Sequence, residues 1–146
     1  MLLHCYLKNG VVYVPTVVRL KTGAYMNVEP VAVVPAADTE GLHRAFWDTI
    51  PRGNKVVPNP PKDEWPPSVL AKYAGVKTWA AFARNASGWS VEETGGHYQI
   101  VGYRKHRKGY WEDDPNQKIE LPSGSTVDDV IVRMIGILQD RARQQA

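Results

Sequence analysis

Residues 86–114, ASGWSVEETGGHYQIVGYRKHRKGYWEDD, carry the clearest structural signal in the chain. Trp89, Val91, Tyr98, Ile100, Gly102 and Trp111 recur near period two, with polar residues between them. That period places alternate side chains on opposite faces of a strand, so the stretch predicts three consecutive strands. Thr94-Gly95-Gly96 supplies the first turn, because glycine adopts positive φ at no steric cost. His106 to Gly109 supplies the second.

The same reading extends toward the N-terminus. Leu3 to Leu7 predicts a strand, and Asn9-Gly10 is a strong two-residue hairpin signal. Val11 to Leu20, VVYVPTVVRL, is rich in β-branched residues, and Ala24 to Val34 predicts a third strand. Pro15 and Pro30 interrupt these two runs. Proline cannot donate to a ladder, so an edge position or a bulge is expected there. Asp38 or Thr39 then caps a helix whose Leu42, Ala45, Phe46 and Ile50 fall on one side. Pro51 and Gly53 end it. His43 reads as a solvated or half-buried helix residue.

Residues 51–67 hold six of the eleven prolines. Such a segment is held near extended geometry and predicts a stiff crossover lying on the sheet, pinned by Trp65. Val69 to Tyr73 predicts a short strand. Thr78 predicts a cap for a short helix carrying Trp79, Phe82 and Ala83. Lys118 to Leu121 predicts a last short strand. Ser125, with Asp128 three residues on, predicts the start of a C-terminal helix with Val127, Val130, Ile131, Met134, Ile137 and Leu138 as its buried stripe. Each half of the chain therefore runs through several antiparallel strands into a helix, without a residue-level repeat. The expected fold is α+β: an antiparallel sheet of meanders with about three helices packed on one face and a proline-rich crossover in the middle, in a single domain over residues 1–146.

The 146 residues include 43% hydrophobic and 10% aromatic side chains, enough for a buried core and too many for a disordered chain. The formal charge is +3 and the pI near 9.0, a mild excess of base. The lone cysteine, Cys5, sits in an apolar run and reads as a small core residue of a reducing, cytoplasmic compartment. No apolar run approaches the roughly 20 residues that cross a bilayer, so no membrane role is expected.

Chemical motifs are scarce. His4, His43, His97 and His106 lack zinc-ligand spacing, there is no phosphate-binding loop and no GxSxG, and no catalytic, cofactor or metal residue is assigned. Glu92 and Glu93 are strand neighbours on opposite faces and cannot act together on one substrate without a bulge. Asp128 and Asp129 are accounted for by the helix start. A nuclease pairing of His97 and His106 requires both imidazoles at one site, which nothing in the sequence provides. Arg104, Lys105, Arg107 and Lys108, interleaved with aromatics, suit phosphate contact and base stacking. Glu112, Asp113 and Asp114 follow at once and are expected to cancel much of that field.

YLKNGVVYVPTVVRLKTGAYMNVEPVAVV, KYAGVKTWAAFARNASGWSVEE, YRKHRKGYWEDDP and LPSGSTVDDVIVRMIGILQ together resemble immunity proteins of bacterial contact-dependent growth inhibition systems, over nearly the whole chain. The resemblance implies a cytoplasmic, non-catalytic protein that binds one cognate toxin domain, often a nuclease, with no cofactor. It transfers no binding residues. From the residues themselves, Trp111, Glu112, Asp113 and Asp114 form a candidate partner surface, an aromatic anchor beside charges. The other reading puts Trp111 in the core and the acids in a solvated loop. A nucleic-acid-binding domain using the basic hairpin stands as the second function, and a small hydrolase or nuclease as the third.

Overall fold

The structure, a computed structural model, describes residues 2–145. Its strands are β1 (Leu2–Lys8), β2 (Val11–Leu20), β3 (Tyr25–Pro35), β4 (Val56–Val57), β5 (Ala86–Thr94), β6 (His97–Lys105) and β7 (Trp111–Glu120). Its helices are α1 (Thr39–Thr49), α2 (Val69–Ala74), α3 (Trp79–Ala83) and α4 (Val127–Gln145). All the strands belong to one sheet ordered β3-β2-β1-β5-β6-β7, with the short β4 attached to β2. Neighbours along that path are antiparallel, and the fold is α+β. The sheet is nearly symmetric about the β1–β5 pair, with one meander on each side.

Strand alternation sorts the core into two layers. Leu3, Cys5 and Leu7 of β1, Val12 and Val14 of β2, and Trp89 and Val91 of β5 face α1 and α4, packing on Leu42, Phe46, Val130, Ile131, Met134 and Leu138. Tyr6 and Tyr13 point the other way and pack on Leu70, Ala71 and Phe82 of α2 and α3. The helices thus lie on both faces, whereas the sequence pattern placed them on one. The reason is that β1 and β2 are apolar on both sides, and a strand buried on both faces needs two layers of cover.

Pro15 produces the expected bulge: the β2–β3 register shifts between Pro15 and Thr16. There the Thr16 hydroxyl donates to the Pro30 carbonyl at 2.9 Å, which gives that oxygen a partner. β2 is nevertheless interior, flanked by β3 and β1, although β1 and β2 pair only from Tyr6↔Tyr13 to Lys8↔Val11 and then part. Residues 53–57 fill the gap. Asn54 N–H donates to the Val17 carbonyl, the Asn54 side-chain amide donates to the Leu2 carbonyl at 3.2 Å, and β4 runs parallel to β2. The crossover is therefore anchored at its start by backbone hydrogen bonds. Trp65, expected to pin it, is 57% exposed.

Two further expectations change. Residues 69–73 form helix rather than strand: Ser68 accepts from the Ala71 N–H and Gly75 closes α2 in the left-handed region at φ 72°. The expected strand at 118–121 is the end of a continuous β7. The capping box of α4 is also displaced by one residue. Thr126 N–H donates to Asp129 at 2.8 Å, and Asp129 N–H donates back to the Thr126 hydroxyl at 3.1 Å. Asp128 is thereby freed to accept from His43 of α1 at 2.6 Å and from the Trp47 indole N–H at 3.3 Å, tying the two long helices together.

Candidate functional site

α2 packs over β2 and β3, and α3 reaches β5, on the face that carries Tyr6 and Tyr13. Beside them, the face of β5, β6 and β7 carries an aromatic cluster and a charged hairpin. Gly88 makes the cluster possible. A Cβ at that position would lie 2.6 Å from Trp111, 3.0 Å from Tyr6 and 3.1 Å from Tyr103, so three rings converge on a bare backbone. Tyr6 meets Trp79 and Phe82 edge-on at 6.0 and 5.9 Å, and Trp79 meets Trp111 at 5.3 Å. Offset and edge-on pairs of this kind each add about 0.5–1.5 kcal/mol to their burial. Trp111 is half-buried in this cluster; its indole N–H is buried without a hydrogen-bond partner among the described residues.

A polar thread runs through the same face. Asn27 donates to the Tyr6 hydroxyl at 3.0 Å, so its side-chain carbonyl is left to accept from His4 Nδ1 at 2.8 Å. Burial pushes the His4 imidazole below its usual value, partly offset by Asn27 and Glu92. Burial also pushes the Tyr103 phenol up to about 12, with Asp113 and Glu92 adding to the rise and a hydrogen bond to Ser90 opposing it. Glu92 is itself engaged, accepting from Gln99 at 2.6 Å.

The hairpin β6–β7 separates the charges that the sequence places side by side. Arg104 lies opposite Glu112, Tyr103 opposite Asp113 and Lys105 opposite Trp111. Arg104 therefore turns to the α4 side, where its guanidinium donates to Glu112 at 3.0 Å and lies 3.9 Å from Asp114. Asp114 also accepts from the Gln117 amide at 2.9 Å and from the Asn116 N–H, contacts that hold its carboxyl below the usual range. Gln117 in turn accepts from Arg141 of α4 at 3.0 Å, in space left by Gly102.

Of the candidate partner residues, Glu112 and Asp114 are thus occupied on one face, while Trp111 and the exposed Asp113 lie on the other. Of the candidate nucleic-acid residues, Arg104 is occupied. Lys105, Arg107 and Lys108 are exposed and make no ion pair among the described residues. Tyr110, 54% exposed, stacks on His106 at 4.4 Å. The sequence reading missed Lys8 and Arg84, which lie beside Lys105. The Lys8 ammonium donates to the carbonyls of Ala81 and Arg84 and sits 5.8 Å from the Phe82 ring. Burial and then the Arg84 and Lys105 charges lower its proton affinity.

His97 opens β6 and His106 follows its last residue, about 30 Å away at strand rise, so they share no site. Among the described residues no group of three His, Cys, Asp or Glu side chains is placed to hold a metal ion, and no helix is long and apolar enough to cross a membrane. Cys5 is fully buried and its thiol is pushed up by desolvation.

Compared by sequence, the chain matches no family model and no curated protein. Compared by structure, it is similar to a Neisseria meningitidis protein of unknown function, with TM-score 0.66 and 15% identity over 96% of this chain and 93% of that one. It is also similar to a chain of the CdiA-CT/CdiI toxin and immunity complex of Yersinia pseudotuberculosis, with TM-score 0.61 and 13% identity over 99% of this chain and 96% of that one. At these identities the likeness is one of fold, and it spans nearly the full length of both neighbours.

Proposed function

We propose that this chain is a non-catalytic, cytoplasmic immunity protein that neutralises one cognate toxin domain by direct binding. The observation that carries the reading is the full-length likeness of fold to a chain of a toxin and immunity complex. The chemistry of the surface is compatible with it. The β6–β7 end of the sheet presents half-buried aromatics beside exposed charges, the composition that macromolecular interfaces favour. Such a protein works by occupying the partner's active surface and needs no cofactor. Trp111 and Asp113 belong to the contact in this reading, and Glu112 and Asp114 join it where the partner displaces Arg104.

The test is co-expression with a candidate toxin domain taken from the genes that neighbour this one. The expected result is a complex that survives purification, and growth of cells that otherwise die from the toxin. A toxin domain that neither binds the protein nor is neutralised by it overturns the proposal.

A further inference from the structure

We propose that Lys8, Arg84 and Lys105, extended by Arg107 and Lys108 at the hairpin tip, form the docking surface for a carboxylate-rich patch of the partner protein. The inference rests on the toxin-binding reading and names the chemistry of its contact.

Three observations lead to it. First, the pairing of β6 with β7 turns two of the three acids that the sequence places next to this patch, Glu112 and Asp114, to the other face, while Asp113 stays. Glu112 and Asp114 neutralise Arg104 on the α4 side, and Lys105 emerges on the opposite side next to Trp111. Second, the fold forces the remaining cations together. Lys8 ends β1, Lys105 ends β6, and Arg84 follows α3, with the Lys8 ammonium clamping the chain between Ala81 and Arg84 onto the strand. Among the described residues none of the five makes an ion pair, and the charges of Arg84 and Lys105 act on Lys8 directly. Like charges held together without a counter-charge are destabilising, and arriving carboxylates relieve them. Third, most of the aromatic residues here are packed on one another, and the exposed Tyr110 carries His106 on one ring face. Trp79 and Trp111 pack on each other and on Tyr6, and Tyr110 stacks on His106 with 7° between the ring planes. Binding of single-stranded nucleic acid draws on free ring faces for successive bases, and the packed rings offer few. A folded acidic surface fits this geometry better than a strand of RNA.

The test compares the wild type, Arg84→Glu/Lys105→Glu, and the neutral Arg84→Gln/Lys105→Gln for affinity to the adjacent-gene toxin domain, at low and high salt. Lys62→Glu, in the exposed proline-rich segment, serves as a control. Arg84 and Lys105 are exposed, so all variants are expected to keep the wild-type circular dichroism and melting curve. The charge reversal is expected to weaken binding by roughly tenfold or more and to flatten its salt dependence, with the neutral variant between. If the wild type binds and the reversed variant binds equally well, the docking surface is refuted while the toxin reading stands. If the wild type does not bind, both fall. If the wild type instead binds random-sequence single-stranded RNA and the reversal abolishes that, the patch is a nucleic-acid site and the assignment to a protein partner is overturned.

Discussion

Gly88→Ala is the sharpest probe of how this molecule holds its hairpin. Gly88 lies within a strand and has no need of positive φ, so a methyl group is compatible with its backbone. On backbone entropy alone the substitution stabilises by roughly 0.4–1 kcal/mol. Packing reverses the sign. The new methyl would sit 2.6 Å from Trp111, 3.0 Å from Tyr6 and 3.1 Å from Tyr103, against stiff ring edges that cannot fold away. Overpacking of this kind typically costs about 1–3 kcal/mol. A net loss of about 1.3 kcal/mol corresponds to a melting temperature lower by roughly 3–5 °C for a chain of this size. Trp111 has the nearest contact, through its six-membered ring. Trp111→Phe removes that part of the ring together with the buried, unpartnered indole N–H. The double variant Gly88→Ala/Trp111→Phe is therefore expected to be less destabilised than the two single effects summed. Urea denaturation of the four proteins gives the cycle. A neutral or stabilising Gly88→Ala, or strict additivity, would show that the rings do not meet at this backbone.

Three other outcomes are expected. His4 has a folded-state proton affinity below the ordinary imidazole value near 6.5, so the unfolded chain binds the proton first; the stability His4 contributes falls as pH drops below about 6.5, and His4→Gln should flatten this part of a denaturation-midpoint profile relative to wild type. Thr126→Ala removes the hydroxyl that caps α4 and should cost about 1 kcal/mol in urea denaturation, whereas Ser125→Ala should cost less, since Ser125 donates only to the Pro122 carbonyl. Phe46→Ala empties a site 1% exposed beneath α1 and should cost about 3–5 kcal/mol by the same measurement.

Much of the fold is legible in the chain because its signals are local. Period-two alternation, Asn9-Gly10, Gly95-Gly96, the Asp38 cap and the apolar stripe of α4 each act through energetics within a few residues, and each appears where expected. The reading erred where a neighbour distant in sequence decides. Residues 69–73 look extendable, but Leu70 and Ala71 seat on Tyr6 and Tyr13 only as a helix. The α4 cap uses Thr126 and Asp129 in place of Ser125 and Asp128, and Asp128 pairs with His43 on α1, 85 residues away.

The candidate site divides in the same way. Sequence alone determined that residues 104–114 form a charged β-hairpin beside aromatic residues, since alternation and turn glycine are backbone properties. It did not determine which charges cancel. Register did: a residue's cross-strand partner sets which side it faces, so Arg104 takes the acids while adjacent Lys105 joins Lys8 and Arg84. Electrostatic pairing depends on distance through space, and only the folded chain brings residues 8, 84 and 105 within reach of one another.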